Sequence, residues 1–66
     1  MKVTFDRDSD ALYIRFSDEE VEDTAEVRPG VMLDYDAKGR IVALEILNAS
    51  EAVSGPDMSR LAVEVG

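Results

Sequence analysis

The sequence predicts a mainly β fold, bordering on α+β, in which about five strands form one antiparallel sheet built from hairpins. Apolar and polar residues alternate with period two in several short runs, which is the pattern of half-buried strands. Residues 29–48 read as a tight hairpin with turn-forming residues between two apolar arms. Helix signals are confined to a short turn after Asn48 and to the tail, which reads as a final strand with a helix as the alternative.

Length and composition limit the chain to one small domain, spanning residues 1–66. A domain of this size buries roughly 60% of its unfolded surface, so it is marginally stable unless a partner or a second copy adds to its core. The start of the chain, MKVTFD, lacks the apolar segment of a signal peptide, and no apolar run approaches the length of a membrane span. We therefore expect a cytoplasmic protein that does not engage a membrane.

The chain contains neither cysteine nor histidine. Disulfides, thiolate metal sites and thiol nucleophiles are excluded, and the side chain that most often serves as a base near neutral pH is missing. No serine has a plausible activating partner in the sequence. We expect a protein without a catalytic site and without a cofactor.

Seven basic residues stand against fifteen acidic ones, giving a net charge of −8. Such a chain repels phosphate backbones, so nucleic acid is not an expected partner. Six carboxylates fall within residues 18–26, which predicts an exposed loop before an edge strand at 24–28. An acidic surface suits a basic partner protein, although solubility alone accounts for it.

Two hairpins organise the predicted strands. Residues 2–6 and 11–17 form the first, joined by the turn residues 7–10. The second joins residues 31–36 to 41–47 through a turn closed by a left-handed Gly39. The register predicted for this hairpin places Tyr35 opposite Ile41, Leu33 opposite Ala43, and Val31 opposite Glu45.

The arm from Ile41 to Leu47 shows no clean alternation of polar and apolar residues, so we expect a strand covered on both faces. So short a chain has little material to cover one sheet twice, which favours a homodimer. The predicted register defines an interface stripe on the second face, with a small-molecule pocket as the alternative use of the same residues. The stripe consists of Met32, Val42, Leu44 and Ile46.

Two carboxylate patterns are weak candidates for a divalent metal site. Asp34, Asp36 and Glu45 fall at positions of a calcium-binding helix–loop–helix motif, but Lys38 occupies a ligand position and both flanks read as strand. The series Asp6, Asp8 and Asp10 lacks the glycine and the distal glutamate, and a hydrophilic turn explains it equally.

Glu45 is the acidic residue within an otherwise apolar strand. Burying an unpaired carboxylate is costly, so we expect Arg15 or Arg28 beside it, or solvent at the sheet margin. A functional acid, either catalytic or ligand-binding, is the alternative. At the C-terminal end, Asn48 or Ser50 is expected to cap a helical turn through Val53, and residues 57–66 read as strand or helix.

Three blocks of the sequence resemble a known family. They are Asp6 with residues 10–16, residues 29–36, and residues 39–42 with 45–50. In this order they resemble the small prokaryotic proteins grouped as domain of unknown function 2283, over about Lys2 to Ser50, with the tail outside the match. The resemblance implies a compact β-rich domain and assigns no catalytic residue. Because some such small proteins are thought to be encoded beside toxin-like genes, it also implies an antitoxin-like role as one expectation.

Overall fold

The computed structural model describes residues 1–54, which form one antiparallel sheet and a short helix. The strands lie in the spatial order β1-β2-β5-β4-β3, so β5 is central and β1 and β3 are the edges. The elements are β1 (Lys2–Asp6), β2 (Ala11–Arg15), β3 (Asp23–Arg28), β4 (Val31–Tyr35), β5 (Ile41–Ile46) and α1 (Ala49–Ala52). The predicted mainly β class and five antiparallel strands are confirmed. The expected final strand or helix over 57–66 lies outside the described residues.

The β1–β2 hairpin forms because short polar side chains satisfy its turn. The backbone N–H of Asp8 donates to Asp6 Oδ1 at 3.0 Å, and Asp10 adopts a left-handed conformation with φ of 53°. Aspartate tolerates this region better than most residues because its side chain bonds locally. Val3 then pairs with Ile14, and Phe5 pairs with Leu12.

The β4–β5 turn is built around one aspartate. Asp36 Oδ1 accepts the backbone N–H groups of Lys38 and Arg40, each at 2.9 Å, and Oδ2 accepts Arg40 Nε at 3.2 Å. The backbone N–H of Gly39 donates to the carbonyl of Asp36, and its φ of 77° is a conformation that glycine adopts without strain. The predicted role of these residues in the turn is confirmed.

The register predicted for β4 and β5 is wrong beyond Tyr35. Tyr35 pairs with Ile41 as expected, but Leu33 pairs with Leu44 and Val31 pairs with Ile46. The register shifts between Asp34 and Tyr35, because Asp34 pairs with Ala43 and leaves Val42 as an extra residue on β5. Such a bulge moves every later side chain of β5 to the opposite side relative to β4.

Two transverse rows define the apolar face of the sheet. Directly paired residues share a face, so the pairings fix each row. One row crosses all five strands as Val3, Ile14, Leu44, Leu33 and Ala25. The adjacent row contains Phe5, Leu12, Ile46 and Val31, and it ends at Arg28 of β3, which pairs with Val31 beyond an irregularity in the register. We refer to the nine apolar residues of these two rows as the apolar face.

The opposite face, which we call the polar face, carries charged and hydrogen-bonding side chains. Its two rows are Lys2, Arg15, Ala43, Asp34 and Thr24, and Thr4, Tyr13, Glu45, Met32 and Glu26. Thr24 Oγ1 donates to Asp34 Oδ1, one of the contacts that tie β3 to β4 on this side.

Helix α1 covers one corner of the apolar face. Ala49 is fully buried and belongs to a cluster with Leu12, against which Phe5, Ile46 and Val53 pack. The expected helical turn through Val53 with Asn48 at its N-cap position is confirmed, but the side chain of Asn48 does not make the capping hydrogen bond. Asn48 holds a left-handed conformation and makes no side-chain cap, and Asp10 takes that role from across the molecule. Its carboxylate accepts Ser50 N at 3.1 Å and Ser50 Oγ at 2.7 Å.

The arm from Ile41 to Leu47 is covered on both faces only in its first half. Val42 and Ala43 are adjacent, point to opposite faces and are both fully buried. Leu44, Glu45 and Ile46 are half-buried, whereas Ile41 and Leu47 are exposed. The prediction of double coverage is therefore confirmed for Val42 and Ala43 and wrong for the rest of the arm. Within residues 1–54, no helix has the length and hydropathy needed to cross a membrane.

Candidate interaction surface

The apolar face is the largest candidate surface in the described part of the chain. All five residues of the row from Val3 to Ala25 are half-buried, although β5 is the central strand of the sheet. Leu12, by contrast, is 3% exposed, because α1 packs over it. The exposed part of the face therefore lies away from α1, over β5, β4 and β3.

The predicted interface stripe is divided between the two faces. Leu44 and Ile46 lie on the apolar face, and Val42 alternates with them along β5. Met32 pairs with Glu45 and lies on the polar face. The bulge at Val42 is the physical reason, since it changes which residues of β4 share a side with Leu44 and Ile46. Leu33 and Val31 replace Met32 on the face that these residues form.

The structure does not bring the candidate metal ligands together. Asp34 accepts Thr24 Oγ1 on the polar face, and Asp36 is buried in the β4–β5 turn with its carboxylate bonded to Lys38 and Arg40. Glu45 lies in the next row of the polar face, opposite Tyr13 and Met32. In residues 1–54, no three acidic side chains are grouped closely enough to hold a metal ion.

The ion pair expected at Glu45 is wrong for the described residues. Between residues 1 and 54, the ion pair within 4.0 Å is that of Arg40 with Asp36. Glu45 is half-buried in the centre of the sheet, and its partners across the strands are Tyr13 and Met32. Of the two outcomes expected for Glu45, the described residues favour contact with solvent over an ion pair, but Glu45 is partly exposed on the polar face of the central strand and not at the sheet margin.

The series Asp6, Asp8 and Asp10 serves structure in this molecule. Asp6 accepts the backbone N–H of Asp8, and Asp10 holds α1 through Ser50. The backbone carbonyl of Asp10 also accepts the N–H of Ala49 at 2.8 Å. Asp10 thereby joins the first turn of the chain to the helix that covers the core.

The electrostatics of Asp36 follow from its hydrogen bonds. The backbone N–H of Arg40 lowers the pKa of the Asp36 carboxyl below its ordinary value of 3.8. Burial opposes this shift, while the backbone N–H of Lys38 and the Arg40 guanidinium lower the pKa further. Asp36 is therefore ionised and fully engaged by its own turn, which leaves it unsuited to binding a ligand.

Arg15 organises the acidic segment, a role that the sequence did not reveal. Its Nε donates to the carbonyl of Ser17 and its Nη2 to the carbonyl of Glu19, both at 2.8 Å. The backbone N–H of Glu22 then donates to the carbonyl of Tyr35, which returns the chain to the sheet. Residues 18–22 are thus fixed beside the sheet, with acidic side chains directed to solvent.

Two open cavities lie at the end of the sheet where β2 ends and β5 begins. One, of about 280 Å³, is lined by Met1, Lys2, Arg15, Phe16, Ser17 and Asp18. The other, of about 270 Å³, lies between the acidic segment and the β4–β5 turn. Both are slightly smaller than the roughly 300–1,000 Å³ typical of small-molecule sites.

Comparison with known proteins gives a family and no activity. A family model described as a protein of unknown function, DUF2283, matches residues 2–50. The search of curated proteins found no match, and neither did the search of solved structures. The family match covers most of the chain and every strand of the sheet, so the chain belongs to this family.

Proposed function

We propose that this protein is a non-enzymatic interaction module that forms a homodimer through its apolar face. The family to which the chain belongs has no assigned activity, so the proposal is argued from the structure alone. The observation that carries the proposal is the uninterrupted apolar row from Val3 to Ala25, whose five residues are only partly buried; its Val3 and Ile14 end packs toward the Leu12–Ala49 cluster, and its Leu44, Leu33 and Ala25 end lies away from α1. An unbroken apolar stripe of this kind on a soluble monomer marks an interaction surface more often than a solvated one.

The size of the face fits a modest interface. Five strands about 4.8 Å apart and five residues long at about 3.4 Å per residue give a flat area of roughly 400 Å² per copy. Because α1 already covers the corner at Leu12, two stacked copies would bury at most about 800 Å² before the relief of the side chains is counted, below the roughly 1,000 Å² of stable specific interfaces and in the range of weak ones. We therefore expect a dimer that forms in the micromolar range and dissociates on dilution.

The charge distribution favours a second copy over a basic partner at this face. The nine residues of the apolar face are uncharged and a charge, that of Arg28, stands only at the β3 end of the second row, whereas the polar face and residues 18–26 carry eight of the fifteen acidic side chains. An uncharged apolar surface is complementary to itself, and a twofold arrangement brings the same patch of each copy into contact. Stacked sheets about 10 Å apart would then share one core.

Light scattering on two matched variants tests this proposal. Leu33→Glu places a charge on the apolar face and is expected to shift the molecular mass from dimer to monomer. Met32→Glu, the neighbouring residue on the polar face, adds the same charge and is expected to leave the dimer intact. A wild-type protein that stays monomeric at high micromolar concentration would refute the proposal, as would equal behaviour of both variants.

A second candidate function is the binding of a basic protein segment, which corresponds to the antitoxin-like role. The specific observation is that Arg15 fixes the acidic segment in place instead of leaving it as a loose loop. Ordering the segment before binding lowers the entropic cost of association. Dimerisation through the apolar face does not depend on the acidic segment, so the two candidate functions can be tested separately.

Calorimetry with an oligolysine peptide tests the second candidate. We expect the triple variant Glu19→Gln, Glu20→Gln, Glu22→Gln to bind the peptide more weakly than a control in which Asp6, Asp8 and Glu51 are neutralised. Both variants have the same net charge, so a general electrostatic attraction would weaken equally in each. Equal affinities would exclude the acidic segment as the binding surface.

A further inference from the structure

Two cations lie directly opposite each other at one end of the polar face. Lys2 of β1 pairs with Arg15 of β2, so their side chains leave the same side of the sheet as neighbours. Like charges in directly opposed positions of an antiparallel pair are destabilising. Of the fifteen acidic residues in the chain, none that lies within residues 1–54 forms an ion pair with either cation. Within residues 1–54, the ion pair closer than 4.0 Å is that of Arg40 with Asp36.

The guanidinium of Arg15 is held in place by neutral acceptors. It donates to the carbonyls of Ser17 and Glu19, each at 2.8 Å, and more weakly to Tyr13 Oη at 3.4 Å. A guanidinium has five N–H donors, so two remain for another group. These contacts fix the orientation of Arg15 without compensating its charge, and a fixed, partly buried cation with spare donors is suited to a carboxylate.

The cavity beside this pair has both polar and apolar walls. Lys2, Arg15 and Ser17 line one part of the 280 Å³ space, and Met1 and Phe16 line another. Phe16 is 46% exposed at the end of β2, which leaves part of its ring available for contact. Asp18 lies at the same cavity and its charge opposes an anion, but the two cations outnumber it.

From these features we propose that the Lys2–Arg15 cavity binds a small organic carboxylate. The carboxylate accepts the free donors of Arg15 and the ammonium of Lys2, and the apolar body of the ligand lies against Phe16. The size of the cavity limits the ligand to a compact one, such as a single ring or a short chain. Binding places one negative charge between the two opposed cations, which offsets one of their two positive charges and weakens their repulsion across the β1–β2 pair.

Backbone amide NMR titration with phenylacetate tests the site, with 2-phenylethanol as the neutral analogue of similar shape. We expect saturable shifts for residues 2 and 15–17 with phenylacetate at millimolar concentrations, and no saturation with 2-phenylethanol. Equal chemical-shift changes with both compounds would show that the carboxylate does not contribute to binding, and would overturn the proposal. Shifts spread over all basic residues would overturn it as well.

Variants at matched charge separate this cavity from general attraction. Lys2→Gln removes one charge interaction with the carboxylate. The loss of one such interaction is expected to weaken phenylacetate binding about five- to tenfold. Lys38→Gln removes an equally exposed cation from the β4–β5 turn and is expected to leave the affinity unchanged. Lys2 is exposed on an edge strand, so its variant is expected to fold. Equal affinities of the two variants would refute the assignment.

Discussion

Asp36 shows how one side chain can decide the geometry of a turn. Its carboxylate accepts two backbone N–H groups and one guanidinium N–H, all from the four residues that follow it. The sequence identified Asp36 both as a turn residue and as a weak metal candidate. Its hydrogen bonds distinguish these roles, because both carboxylate oxygens accept N–H groups from Lys38 and Arg40 within the turn.

The lowered pKa of Asp36 predicts how stability depends on pH. Because the pKa is lower in the folded state, the carboxylate stabilises the fold above its ordinary pKa, near 3.8, and this contribution is lost as pH falls through the lower folded-state pKa. Asp36→Asn is therefore expected to be less stable than wild type at pH 7, with the difference shrinking below about pH 4. Urea denaturation at several pH values measures this.

The control for this experiment is Asp18→Asn, which removes the same charge from the exposed acidic segment. It is expected to change the urea midpoint little and in the opposite direction, since it relieves repulsion among acidic neighbours. A constant difference between wild type and Asp36→Asn from pH 7 to pH 3 would contradict the assigned role.

Asp10 is a second residue whose effect can be isolated. Asp10→Ala removes the carboxylate that accepts Ser50 N and Oγ, and loss of a helix cap costs about 1 kcal/mol. It also places alanine in a left-handed conformation, so Asp10→Asn, which tolerates that conformation, is the matched comparison. Thermal unfolding should rank wild type first, Asp10→Asn next and Asp10→Ala last. Identical stabilities of the two variants would show that the cap contributes nothing.

At the scale of the elements, the β4–β5 hairpin offers a test of backbone conformation alone. A Cβ added at Gly39 would meet no heavy atom within 4 Å, so steric crowding does not enter. Its φ of 77° costs a non-glycine residue about 1–2 kcal/mol, which is the destabilisation expected for Gly39→Ala. Gly39→Asn is expected to destabilise the fold less than Gly39→Ala, because asparagine tolerates the left-handed conformation better. Urea unfolding measures both, and a neutral Gly39→Ala would contradict the predicted strain.

The strands were predictable, whereas the bulge in β5 was not. Alternation placed β1 and β2, and turn chemistry at Gly39 placed the second hairpin, because those signals are local. A bulge adds one residue to one strand, and every later pairing depends on it. Nothing in the residues from Ile41 to Ala43 distinguishes a bulged register from a regular one, so Met32 was assigned to the wrong face.

The roles of Asp10 and Arg15 were also beyond the sequence. Asp10 contacts a helix forty residues further along the chain. Arg15 donates to backbone carbonyls, which every residue has, so the pattern of side chains does not indicate these contacts. Glu45 was expected to need an arginine, or solvent at the sheet margin, because its strand neighbours are apolar. That reasoning treated β5 as buried on both faces, whereas the polar face is open to solvent around Glu45.

At the scale of the whole molecule, net charge and the proposed dimer are coupled. Two copies that each carry −8 repel, so added salt is expected to tighten the dimer by screening this repulsion. An apolar interface has no attractive charge pairs that salt would weaken. Sedimentation equilibrium at low and at physiological ionic strength measures the change. A dimer that weakens with salt would indicate an ionic interface instead of the apolar face.

Unfolding temperatures provide an independent measure of the same assembly. Binding of a second folded copy stabilises the native state by mass action, so the wild-type midpoint is expected to rise with protein concentration. Leu33→Glu is expected to show a midpoint that does not depend on concentration, while Met32→Glu keeps the dependence. A wild-type midpoint that is constant over a hundredfold dilution series would argue against the dimer.

The two strands at the edges of the sheet bear on how far such assembly can proceed. β1 exposes Lys2, Thr4 and Asp6 in alternation, and β3 is mostly exposed, rich in charge and interrupted by an irregular pairing between Glu26 and Arg28. Charges and bulges at open edges discourage the addition of strands from other chains. Growth into fibrils by edge-to-edge pairing is therefore disfavoured, and association is directed to a closed pair that cannot propagate.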